Sequence, residues 1–211
     1  MDTNIGEIIR LLELEYPAAL CSLEYGRDYE LLFSVRLAAQ CADERVNKVT
    51  PALYEKYPSL EAIASADIAD IEAIIHSCGF FRAKARDIVL SAQMIISDFG
   101  GKVPGSMEEL LKLPGVGRKT ANLILGDVFN APSAVVVDTH CIRITNRIGL
   151  VSTKEPAKIE TALRGLLPPD KSSDFCHRMV LHGRAVCPAR APRCEICCIA
   201  EYCKTGCTRF L

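Results

Sequence analysis

Apolar residues recur at three- and four-residue steps along almost the whole chain. Ile5, Ile8, Ile9 and Leu12 mark one stripe, which Pro17 ends. Leu31, Leu32, Val35 and Ala39 mark a second, opening after Asp28. Further helices are predicted from about Asp43, Ser59, Asp67 and Phe81. Ser106 and Glu109 form an S-x-x-E capping signature just ahead of Leu110, Leu111 and Leu113. Helical periodicity continues through 119–129, 139–148, 156–167 and 173–184. Only 134–137 has the make-up of a strand, and a sheet needs several. That stretch is read as an extended link. The pattern predicts an all-α fold with no internal repeat.

Composition narrows the picture. A chain of 211 residues suits one domain or two small ones, and a hydrophobic share of 49% speaks against a disordered scaffold. No apolar run reaches the length of a membrane span. The opening MDTNIGEIIR lacks the basic-then-apolar order of a signal peptide, so a cytoplasmic protein is expected. The eleven cysteines are an odd number. In a reducing compartment they are small apolar residues or metal ligands rather than a disulfide framework. The net charge of −1 is unevenly spread. Residues 1–76 hold 6 basic and 14 acidic side chains, a net of −8, and residues 77–211 hold 19 and 12, a net of +7. Either a basic rear faces a polyanion while an acidic front faces water, or the charges are ordinary scatter on a soluble surface.

Spacing decides among the cysteines. Cys187, Cys194, Cys197 and Cys203 read C-x6-C-x2-C-x5-C in a loop rich in Pro and Arg. Soft thiolates packed within 17 residues point to a metal. Structural zinc more often shows two C-x2-C-like pairs around a longer insert, so the uneven gaps lean towards a cubane iron–sulfur cluster, with zinc the alternative. Cys198 and Cys207 lie close enough to confuse the ligand count. Arg190 and Arg193, inside the loop, either face phosphates or solvate it.

Two further places carry chemistry. The string LPGVGRKTAN at 113–122 follows the capping signature and reads as helix, glycine turn, helix. Gly115 and Gly117 permit tight turning, and open amides at the start of the second helix favour a phosphate, so Gly115, Val116 and Gly117 are candidate backbone contacts to DNA. Lys119 sits in that helix's first turn, where the positive helix end and partial burial would both favour the neutral, nucleophilic amine. Asp138 ends the apolar run in VVVDTH, either as a helix N-cap, as a carboxylate facing a cavity, or as both.

Together these residues resemble the endonuclease III family of DNA glycosylases. The matching blocks are LAAQCADERVNK at 37–48, LPGVGRKTAN at 113–122, VDTHCIRITNR at 137–147 and the cysteine loop with LHGR at 181–184. They occur in the family's order and cover essentially the whole chain. The resemblance implies a two-domain helix–hairpin–helix fold. A six-helix barrel would span 22–132, with the hairpin at about 108–128. Residues 1–21 and 133–211 would form a second domain, with a [4Fe-4S] cluster in the loop 187–203. It implies a bifunctional glycosylase and AP lyase acting as a monomer, in a cytoplasmic, nucleoid-associated setting. Its substrate would be double-stranded DNA containing oxidised pyrimidines or abasic sites. Lys119 would attack the sugar and Asp138 assist it. Gln40 would fill the space left by a flipped base, and Phe80 would wedge into the opposite strand. The rivals are a mismatch-type monofunctional glycosylase, which commonly lacks the lysine, and a non-catalytic iron–sulfur DNA-binding module. Phe80 and Phe81 replace a more usual aliphatic–aromatic pair, and Ala38 stands where a hydroxyl is common.

Overall fold

The computed structural model describes residues 4–207, and every regular element among them is helical. The α-helices are α1 (Ile5–Glu15), α2 (Asp28–Ala38), α3 (Asp43–Lys56), α4 (Leu60–Ala64), α5 (Ile68–Ile75) and α6 (Phe81–Phe99). They continue as α7 (Met107–Leu110), α8 (Arg118–Asp127), α9 (Thr139–Ile148), α10 (Pro156–Leu166), α11 (Ser172–Ala185) and α12 (Lys204–Cys207). The stretch 134–137 is buried but joins no sheet, so it is the extended link that its lone position in the sequence predicts. No helix of the described residues is long and apolar enough to cross a membrane.

Short polar side chains start the helices where the sequence places them. Ser59 Oγ accepts from the Ala62 amide at 3.1 Å, and Asp67 Oδ1 from the Ala69 amide at 2.9 Å. Asn4 does the same for the Glu7 amide at 3.1 Å. Pro17 disfavours helical backbone at the residue before it, and α1 ends at Glu15 with Tyr16 already at φ −127°.

The chain folds as two compact units, one of Cys21–Phe129 and one joining the residues up to Leu20 to those from Asn130 onward. In the first, α6 packs on α4 and α5, and α2 touches α3, α6 and α8. Leu31, Leu32 and Leu37 of α2 bury against a core that includes Leu53, Ile63, Ile71 and Ile75. Because α2 is covered almost all round, its buried polar groups need partners. Ser34 Oγ bonds Tyr54 Oη at 3.2 Å, and Tyr54 Oη donates to the Glu30 carbonyl at 2.9 Å.

In the second unit α11 is central and packs on α9 and α1. Ile8, Leu12, Ile144, Phe175 and Met179 are buried in its core. Polar ties fix α1 to α11: Lys171 Nζ meets Glu13 at 2.8 Å, and Arg178 Nε donates to the Tyr16 carbonyl at 3.1 Å. Gly183 lies where a β-carbon would meet Arg143 Nη2 at 2.8 Å and overlap the His140 ring, so its lack of a side chain sets how closely α9 approaches α11.

Candidate active site

The hairpin is built from α7, a seven-residue turn and α8. Ser106 caps α7, accepting from the Glu109 amide at 3.2 Å and donating its hydroxyl to Glu109 Oε2 at 2.7 Å. The turn then rests on α2 and α6. Ser91 donates to the Pro114 carbonyl at 3.1 Å, and Gly115 sits over the Arg36–Asp87 ion pair, whose Nε–Oδ2 distance is 2.8 Å. Gly115 has φ +74°, and a β-carbon there would meet Asp87 Oδ2 at 2.6 Å and overlap Arg36 Nε. Glycine is therefore required twice over, by backbone conformation and by space. Gly117 differs: it is the N-cap of α8 at φ −106°, and a β-carbon there would meet nothing within 4 Å. No side chain among the described residues caps α8. That leaves its N-terminus suited to an anion approaching along the helix axis.

Lys119 is the second residue of α8 and is exposed, while Ala121 and Ile124 bury the helix's other face. The partial burial expected of Lys119 is absent, because the turn lifts the helix's first residues clear of the core. Its position at the helix N-terminus is as the sequence predicts.

Gln40 and Phe80 stand in the same unit as the hairpin. Both are exposed, and both hold left-handed backbone, at φ +56° and +48°. Gln40 follows the C-terminal end of α2, and Phe80 is the N-cap of α6, with 69% of its surface open. Left-handed backbone at a phenylalanine carries a local conformational cost.

Asp138 is half-buried and caps α9, with Oδ1 accepting from the Cys141 amide at 2.7 Å. Its Oδ2 has no hydrogen-bonding partner among the described residues. The N-cap that the sequence offers for Asp138 is present, and it leaves the second carboxylate oxygen uncommitted.

The four spaced cysteines come together. Cys187, Cys194, Cys197 and Cys203 line one cavity, walled also by Ile144, Ile148 and Ile199. Cys198 is not part of that wall, and the side chain of Cys207 lies outside the described residues. Donors surround the sulfurs. Arg147 Nη1 reaches Cys187 Sγ at 3.1 Å, and His182 Nε2 lies 3.5 Å from Cys197 Sγ. Backbone hydrogen bonds from Ile199 reach Cys197, and others from Thr205 and Gly206 reach Cys203. Burial pushes the Cys197 thiol up to about 12, so this sulfur needs a bound cation to ionise at neutral pH. No three His, Cys, Asp or Glu side chains among the described residues group closely enough for a single ion. Four thiols around a shared apolar cavity, ringed by N–H donors, suit a polynuclear cluster in which each sulfur takes its own iron. Arg190 and Arg193 are exposed on the same loop.

The sequence reading missed the residues that hold this loop. Arg143 donates to the Cys187 carbonyl through Nε at 3.2 Å and Nη2 at 3.0 Å. Arg147 donates to the carbonyls of Pro188 and Ala189, each at 2.8 Å. Buried His182 spans from Cys197 to Tyr16 Oη, which lies 3.1 Å from its Nδ1. Burial drops the imidazole to about 4, so it is neutral in the cell. The available signal was the spacing of His140, Arg143 and Arg147, which shares one face of α9.

The HhH-GPD superfamily base excision DNA repair protein model matches residues 33–169. Endonuclease III from Synechocystis sp. is 48% identical over 200 residues, covering 95% of this chain and 91% of the relative. Endonuclease III from Bacillus subtilis is 39% identical over 192 residues, covering 90% and 87%. Among solved structures, an endonuclease III trapped as a covalent intermediate with DNA superposes with a TM-score of 0.91. It is 36% identical and covers 100% of this chain and 99% of that one.

Proposed function

The chain belongs to the endonuclease III family of HhH-GPD base excision repair proteins, and on that footing we propose that Lys119 and Asp138 are its catalytic pair. The protein is a DNA glycosylase and AP lyase, and its partner is DNA. The observation that carries the residue assignment is the setting of Lys119. It is a primary amine at the open end of α8, beside a glycine turn built for phosphate approach, in a chain whose relative has been trapped covalently on DNA.

In the proposed reaction the damaged nucleotide swings out of the duplex. The Lys119 amine forms a bond to the sugar C1′, and the base leaves with the electrons of the N-glycosidic bond. Ring opening gives an iminium ion. Loss of a C2′ proton then breaks the C3′–O bond, releasing the 3′ strand, and water frees the lysine. The Asp138 carboxylate offsets the positive charge that develops on the sugar and takes the proton lost by the attacking amine.

Gly115, Val116 and Gly117 approach the phosphate backbone, Gln40 occupies the vacated stack, and Phe80 enters the opposite strand. Cys187, Cys194, Cys197 and Cys203 would hold a [4Fe-4S] cluster, which would tie the loop closed and so present Arg190 and Arg193 to DNA. The substrates are oxidised pyrimidines and abasic sites, met by a monomer in the cytoplasm at the nucleoid.

Borohydride trapping tests the assignment. Incubated with a thymine glycol duplex and borohydride, the protein is expected to form a stable protein–DNA adduct that Lys119→Gln does not form. Base release without an adduct would instead make the enzyme monofunctional. An adduct undiminished in Lys119→Gln would remove that residue from the role.

A further inference from the structure

Lys84 is sealed inside the protein at 1% exposure, less than any other charged side chain among the described residues, and nothing in the proposed reaction uses it. Lysines are almost never buried unless paired, because the ammonium loses its water. This one is near the start of α6, and its Nζ donates to two main-chain carbonyls, Leu37 and Cys78, each at 2.8 Å. Leu37 lies in the last turn of α2, three residues before Gln40. Cys78 ends a 3-10 turn two residues before Phe80. The Lys84 amide also donates to the Phe80 carbonyl at 3.1 Å. One residue therefore grips the chain on both sides of Gly79 and ties that turn to the end of α2.

Both of the segments it joins carry strained backbone. Gln40 and Phe80 are both non-glycine residues in the left-handed region, and both are exposed. Such a conformation persists only where the surroundings over-determine it. A leucine would fill the same space, but would leave two buried carbonyls without a donor.

We propose that Lys84 is a positioning residue that fixes Gln40 and Phe80 as one rigid pair for entry into the duplex. The proposal rests on the reading of those two side chains given above. It assigns Lys84 a part in opening the base pair and none in bond cleavage at the sugar.

The test compares two substrates. One is a duplex with thymine glycol opposite adenine. The other carries the same lesion opposite a tetrahydrofuran residue, where no partner base has to be parted. A general loss of stability or chemistry lowers both rates and cancels in their ratio. In Lys84→Met the ratio of paired to unpaired kcat/KM is expected to fall roughly ten- to a hundredfold, the scale of a misplacement of about an ångström. In a Phe80→Ala background the same change should move the ratio less than about twofold, since the pair is already broken. An unchanged ratio, at whatever absolute rate, overturns the proposal. So does a full effect in the Phe80→Ala background. Should Lys84→Met not fold, Lys84→Arg is read the same way, because a planar fork does not reproduce one nitrogen serving two carbonyls. A wild-type protein inactive on both duplexes would sink the repair reading itself, and this proposal with it.

Discussion

Asp138 spends one carboxylate oxygen on the Cys141 amide, at 2.7 Å, and in the proposed reaction the carboxylate's charge serves the sugar. The two uses separate by substitution. Asp138→Asn retains an oxygen that can cap α9 and loses the charge. Its melting temperature should stay within a few degrees of wild type, since asparagine caps about as well as aspartate. Single-turnover base release should nevertheless fall roughly a hundredfold or more, the scale of losing one preorganised electrostatic partner of the transition state. Asp138→Ala should lose the rate and about 1 kcal/mol of stability as well. A full rate in Asp138→Asn would reduce the residue to a cap. At this scale the sequence marked the candidates whose signal is local, namely Lys119, Asp138 and the four cysteines. It hid Lys84, Arg143, Arg147 and His182. The first three mainly bind backbone carbonyls, as far as 47 residues away for Lys84, and a carbonyl leaves no mark in a sequence.

The hairpin shows how an element borrows its shape from its neighbours. Gly115 is pressed against an ion pair between residues 51 apart, whereas Gly117 faces open space. The same methyl group should therefore do different harm at the two positions. Gly115→Ala combines left-handed strain with an overlap, and urea unfolding should show a loss of about 1–3 kcal/mol. Gly117→Ala should stay within about 1 kcal/mol of wild type, the range of an N-cap change. It should weaken binding to an abasic-site duplex all the same, because the methyl group stands where a phosphate would approach. Equal binding by Gly117→Ala and wild type would remove that turn from the DNA contact. Helix starts were legible because their causes are local. Ser59, Asp67, Ser106 and Asp138 each accept from an amide two or three residues on. The seat under the hairpin was not legible, since Arg36 and Asp87 meet only once α2 and α6 have packed.

Charge along the chain divides between the two units otherwise than between its front and its rear. The unit Cys21–Phe129 holds 12 basic and 15 acidic side chains, a net of −3, and the remaining residues hold 13 and 11, a net of +2. The acidic early stretch and the basic hairpin share a unit, because α2 packs on α6 and α8. Neither unit has a large net positive charge, so cations placed near individual phosphates matter most for attraction to DNA. Arg190 and Arg193 are the sharpest test, exposed on a loop pinned by Arg143 and Arg147 from below. If each meets a phosphate, Arg190→Ala and Arg193→Ala should each weaken binding to an undamaged duplex. Each should also flatten the slope of log K against log salt by about one, measured by anisotropy across a salt series. If the pair only solvates the loop, the lines for wild type and variants will run parallel. If the four cysteines hold a cluster, cations on that loop would keep their geometry without a surrounding basic surface, which would let a chain with a net charge of −1 hold a polyanion.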